Sequence, residues 1–160
     1  MENAKGQERG YMSENGKTFQ NCLKSDIAAA ILIEQLVRGT YSSLRSTDIQ
    51  PLQWSILRYL ARTQVELCTV QYVARFLGLT TAPVSRALQT LSKRGMVEAK
   101  SNPDDARSNL LFLTNEGRLA LDGDPIILIA TRLNMLPDDQ RATFKRALQT
   151  LVITRNEKDL

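Results

Sequence analysis

The chain contains no histidine in its 160 residues. That removes the side chain whose ordinary pKa lies nearest neutrality, and with it the commonest general base and the commonest metal ligand. Cysteine is nearly as scarce. Cys22 and Cys68 are the only two; they stand far apart, without paired ligands beside them, so no zinc-site spacing is written. No glycine-rich phosphate loop occurs. Asp, Glu, Lys and Ser remain as candidates for catalysis, but no constellation of them stands out, so neither an enzyme nor a bound metal or cofactor is expected. Long apolar runs are also missing. The run at residues 125–130 is far too short to span a bilayer. The first ten residues lack the apolar stretch of a signal peptide. No membrane association is expected, and a cytoplasmic location would keep both thiols reduced.

What is present is an ordinary globular composition with a basic tilt. Apolar residues make up 42% and charged residues 24%, with a net charge of +4 and a pI near 9.3. Such a balance points mildly to an anionic partner. Residues 1–17 are polar and read as a disordered tail. Residues 19–44 carry a helical pattern whose centre, 27–33, is apolar on nearly every side. Such a helix is either deeply buried or shared with a second subunit. Pro51 suits the first turn of a second helix, reaching about Arg62, with Trp54, Leu57 and Leu60 at helical spacing. Thr69 is an N-cap for a short third helix carrying Val73, Ala74, Phe76 and Leu77, ended by Gly78. Thr80 or Thr81 caps a fourth helix that stops at Gly95. Strands at 97–100 and 109–113 flank a turn built from residues 101–105. A fifth helix begins at Thr114 and is interrupted by Gly123-Asp124-Pro125. A final helix opens at Pro137.

Two short helices joined by a glycine turn and followed by a hairpin make a winged helix-turn-helix, with its second helix expected in the major groove of duplex DNA. Residues 80–95 contain Arg86, Lys93 and Arg94 and no acidic residue. Thr80, Thr81, Pro83, Ser85, Arg86, Gln89 and Lys93 are therefore the candidate DNA-facing positions, offering short or forked hydrogen-bonding groups to phosphates and base edges. On the hairpin, Arg107 is placed to enter the minor groove, with Ser108 beside it. The acidic pair Asp104 and Asp105 opposes DNA by charge. An ion pair from Asp105 to Arg107, or to another arginine, would remove that conflict and fix the wing's shape. The competing reading is a winged-helix docking module that touches only protein; it would not need an acid-free recognition helix.

The wing resembles that of the MarR family. Asp105-Ala106-Arg107-Ser108-Asn109-Leu110-Leu111-Phe112-Leu113-Thr114 fits the pattern D-x-R-x-x-x-L-x-x-T, followed by Glu116-Gly117-Arg118. Val84-Ser85-Arg86 and the stretch from Leu91 through Lys93, Arg94 and Gly95 to Val97 match as well. So do Leu52-Gln53-Trp54 and Leu136-Pro137-Asp138-Asp139. The resemblance covers about residues 20–155. It implies a mainly α fold with a small β wing, in which 51–114 form the winged helix-turn-helix and 18–50 and 115–160 supply dimerisation helices, all within one unit at 18–160. It also implies a homodimeric regulator on a pseudo-palindromic operator, a repressor released by a small aromatic or anionic ligand. The effector pocket implied lies at the end of the first helix and on the second, where Arg38, Thr40, Tyr41 and Trp54 are the polar or aromatic candidates. Ala106, where many members have a second basic residue, and Gly123-Asp124-Pro125 depart from the family pattern. A redox switch at Cys22 is the other regulatory reading, with Lys24 favouring its thiolate, although the aromatic surroundings of peroxide sensors are absent. Cys68 reads as a small buried hydrophobe.

Overall fold

The computed structural model describes residues 24–45 and 48–156, with side chains over 25–45 and 48–152. The polar tail at 1–17, the start of the first helix and Cys22 lie outside the described residues. Two compact units divide the chain, Met1–Gly39 and Thr40–Leu160.

Helix α1 (Lys24–Tyr41) runs through the first unit and gives its last two residues to the second. It stops short of Leu44 because Ser42 and Ser43 favour a turn, which the Leu44 N–H closes on the Tyr41 carbonyl at 3.3 Å. Ile31, Leu32, Ile33 and Val37 are exposed on this helix in the single chain. Glu34 and Arg38 form an ion pair one turn apart.

In the second unit, α2 (Pro51–Arg62) starts with proline in its first turn. The Gln53 side chain accepts the Gln50 backbone N–H at 2.9 Å, satisfying a group the helix itself leaves free. Helix α3 (Val70–Leu77) is capped by Thr69, whose hydroxyl accepts the Tyr72 N–H. Helix α4 is Thr81–Lys93. Both α3 and α4 end on a glycine in the left-handed region, Gly78 at φ 64° and Gly95 at φ 70°. Each glycine donates back into its helix and the next residue reaches one carbonyl further, Leu79 to Ala74 at 2.9 Å and Met96 to Leu91 at 3.0 Å. Ile56, Leu57, Val73, Val84 and Leu91 are fully buried, so α2, α3 and α4 share one core with Val97, Leu111 and Leu113 of the wing.

The wing is an antiparallel pair, β1 (Val97–Asn102) and β2 (Asp105–Leu113), both longer than the sequence pattern suggests. The stem is in register from Val97↔Leu113 to Ser101↔Asn109, and the next pair is Asn102↔Asp105. Between those two pairs β1 advances one residue and β2 four, so Ala106, Arg107 and Ser108 bulge out of the ladder register. Side-chain hydrogen bonds brace the turn end of the pair. Asn102 receives the Asp104 N–H on its Oδ1 and donates from Nδ2 to Ser108 Oγ, both at 3.0 Å.

Helix α5 (Asn115–Ala120), a 3₁₀ turn at Leu121–Gly123, α6 (Ile126–Asn134) and α7 (Asp138–Asn156) complete the chain. Thr114 ties α5 to the end of α4: its hydroxyl donates to the Gly95 carbonyl at 2.7 Å and accepts the Gly117 N–H at 3.1 Å. Gly117 has no room for a side chain, since a Cβ there would lie 2.3 Å from the Met96 carbonyl oxygen and 2.6 Å from Leu113 Cδ1. The break at Gly123-Asp124-Pro125 is built around Asp124, which is buried and accepts the Ile126 N–H at 2.9 Å to start α6. Among the described residues no helix is long and apolar enough to cross a membrane.

Candidate nucleic-acid interface

Helix α4 sorts its residues by side. Val84, Ala87, Leu88 and Leu91 are buried, which turns the remaining positions outward. Thr80, Thr81, Arg86, Gln89 and Lys93 are exposed, while Pro83 and Ser85 are half-buried at the edge. Arg86, Gln89 and Lys93 follow one another at spacings of three and four and so share one face. Thr80 occupies the N-cap position but its hydroxyl makes no capping bond. The expectation that a threonine side chain caps this helix is therefore corrected. Pro83 in the first turn needs no partner for a missing N–H, and the N–H groups ahead of it stand free of a cap. A helix start of that kind, with no acidic residue in the helix, favours a bound anion.

The wing presents Arg107 on its bulge. The expected ion pair to Asp105 does not form. Instead the Asp105 carboxylate accepts the Arg107 backbone N–H at 3.0 Å, and Ser108 Oγ donates to the Asp105 carbonyl at 3.2 Å. The carboxylate is taken up by the backbone N–H two residues on, as in an Asx turn. Among the described residues the Arg107 guanidinium has no ion-pair partner and is exposed. In the stem beneath, Lys100 Nζ lies 4.9 Å from the Phe112 ring centre and is paired with Glu98 at 2.7 Å.

Arg38 is exposed and paired with Glu34; Thr40 and Trp54 are buried. The Trp54 indole N–H is buried and, among the described residues, has no acceptor. The Tyr41 hydroxyl stands 3.4 Å from Arg58 Nη2. Arg58 is a residue the sequence reading missed. Its Nη1 donates to both Asp124 oxygens, at 2.9 and 3.0 Å, and its Nη2 to Ser55 Oγ at 3.0 Å. The Gly-Asp-Pro break was the available signal, since an aspartate before a helix start is a ready cap, but its arginine partner lies 66 positions away. Cys68 is buried as expected, donates to the Gln64 carbonyl at 3.3 Å, and has its thiol pKa pushed up by burial, then by the Glu66 charge.

Residues 47–108, which run from the break before α2 into the wing bulge, match the sequence profile of the MarR family. That segment is similar to the winged helix of the MarR family. The same fold occurs in S. aureus MepR bound to DNA, 19% identical, covering 83% of this chain and 99% of that one with a TM-score of 0.65. A probable transcriptional regulator from Pseudomonas aeruginosa is 24% identical over 79% and 98% of the two chains, at a TM-score of 0.62. The PcaV regulator of Streptomyces coelicolor, solved with its natural ligand, is 22% identical over 81% and 92%, at 0.61. No curated protein matches the chain.

Proposed function

We propose that this MarR-type chain is a homodimeric transcription regulator that binds a pseudo-palindromic duplex and acts as a repressor released by a small ligand. The observation that carries the DNA reading is the outward face of α4, where Arg86, Gln89 and Lys93 stand exposed on a helix with no acidic residue, beside an unpaired Arg107 on the wing. Recognition helices read base edges from such positions, and arginines on wings enter narrow minor grooves. Thr80, Thr81 and Ser85 then position the helix on phosphates, and Ser108 and Asp105 hold the wing that carries Arg107. A second copy of the chain is supported by apolar side chains left exposed on α1, α6 and α7, among them Leu32, Ile127, Leu128, Leu151 and Val152. MepR bound to DNA and PcaV bound to its ligand show that this fold accommodates both kinds of partner in those proteins. Selection of duplexes from a random library, followed by footprinting, tests the proposal. The expected product is a two-fold site with half-site centres about 10 base pairs apart. An asymmetric site covered by one chain, or no enrichment, contradicts it.

A further inference from the structure

We propose that the ion pair of Arg58 with Asp124 sets the half-site separation that the chain accepts on DNA, which makes both of them positioning residues for recognition. The inference rests on the reading of the chain as a homodimer on a two-fold duplex.

Between the winged helix and α6 the backbone changes course at one residue. Leu121 and Pro125 have helical angles, with ψ of −22° at each, whereas Asp124 is extended at ψ 121°. A Cβ placed on Gly123 would meet nothing within 4 Å, so no neighbour packs against the residue before the bend. Asp124 itself is 4% exposed and is bonded in two directions. Toward α6, its Oδ1 accepts the Ile126 N–H at 2.9 Å and its carbonyl accepts the Ile127 N–H at 3.0 Å. Toward α2, both carboxylate oxygens accept from Arg58 Nη1, at 2.9 and 3.0 Å. The guanidinium is held from its other side, with Nη2 donating to Ser55 Oγ at 3.0 Å and standing 3.4 Å from the Tyr41 hydroxyl. Leu57, next to Arg58, is fully buried in the core that α2 shares with α4. The cap therefore fixes α6 to Asp124, and the ion pair fixes Asp124 to the frame that carries α4.

The bend matters because α6 is a lever. Its nine residues make a rod about 13 Å long, and a swing of about 15° at Asp124 moves the far end by about 3.5 Å. That is close to the rise of one base pair, about 3.4 Å along the duplex. Helix α7 follows beyond that end, with Leu151 and Val152 exposed on it. With a second copy joined through these helices, the angle at Asp124 is read out as the distance between the two copies of α4.

The test is the affinity of the intact chain for duplexes that carry the parent's selected half-site twice, at centre separations from about 8 to about 13 base pairs, which bracket one helical turn. A duplex with a single half-site is measured beside them. The parent should prefer one separation by at least about tenfold over its neighbours, on the scale of one mismatched base pair. Asp124→Asn keeps an acceptor for α6 but loses the charge, and Arg58→Gln loses the charged fork. Each should flatten the preference to about threefold or less while the single half-site stays within about twofold of the parent, because α4 and the wing are untouched. Arg58→Lys keeps the charge without the fork and should recover part of the preference; it also serves if Arg58→Gln fails to fold. A parent with no preferred separation, a parent-like preference in Asp124→Asn and the Arg58 variants, or single-half-site affinity that falls in step with the preference overturns the inference. A parent that binds no two-fold duplex defeats the regulator reading itself, whereas a sharp preference that the variants retain removes this inference alone.

Discussion

The Asp105 carboxylate spends its acceptor on the Arg107 backbone N–H, which leaves the neighbouring guanidinium free. One acidic residue in the wing thus shapes the backbone that presents a cation. Asp105→Asn keeps an acceptor oxygen and should retain duplex binding, whereas Asp105→Ala should weaken it; parallel titrations of the two variants check this, and equal losses would return the role to charge. Arg86→Ala should cost on the order of 1–3 kcal/mol of duplex binding if its fork reads a guanine, with relaxed preference at one symmetric pair of positions. Arg107→Ala should weaken many sequences, most of all those with A·T-rich flanks. Binding of both to a matched operator set separates them, with melting curves as a control for folding. Cys68 makes a different prediction. Its thiol pKa is raised in the folded chain, so the folded state holds the proton to higher pH than the unfolded one. Stability should be level below the ordinary thiol range and fall as pH rises through it toward the raised value. Urea midpoints from neutral to alkaline pH, compared with Cys68→Ala, test the sign: the parent should lose stability faster than the variant.

Two element junctions hold the winged helix in shape, and each invites one substitution. At Gly117 the α5 backbone presses on the Met96 carbonyl and the Leu113 side chain, so Gly117→Ala forces a shift and should cost about 1–3 kcal/mol, read as a lower denaturant midpoint. At the α5–α6 break, Asp124 caps α6 and holds Arg58 at once. Asp124→Ala strands a cation whose side chain is only 18% exposed and should cost about 3 kcal/mol, the low end for a broken buried pair. Asp124→Asn keeps the cap and should cost less; equal midpoints for the two would assign the whole effect to the ion pair with Arg58 and none to capping. The helix ends were legible because local chemistry decides them: Pro51, Thr69, Gly78 and Gly95 each set a terminus through their own backbone needs. The wing bulge was not, because it depends on bonds among Asn102, Asp105 and Ser108 that hydrophobic alternation does not report. Phe76 kept helical spacing yet stayed exposed, since periodicity gives a face and not what covers it. Arg58 was silent because its partner is joined to it only by the fold.

At the scale of the whole molecule, the net charge of +4 compares with +3 on residues 80–95 alone, from Arg86, Lys93 and Arg94. The basic excess is concentrated where the duplex would lie. The exposed apolar side chains of α1, α6 and α7 lie elsewhere in the sequence. The most direct test of the central claim is duplex affinity as a function of salt for the intact chain. A dimer that neutralises about six phosphates releases their counterions and should lose roughly 10³ in affinity between about 50 and 200 mM salt. Binding that falls along that steep line supports the regulator. No duplex affinity at low salt, or an affinity that stays flat as salt rises, contradicts it.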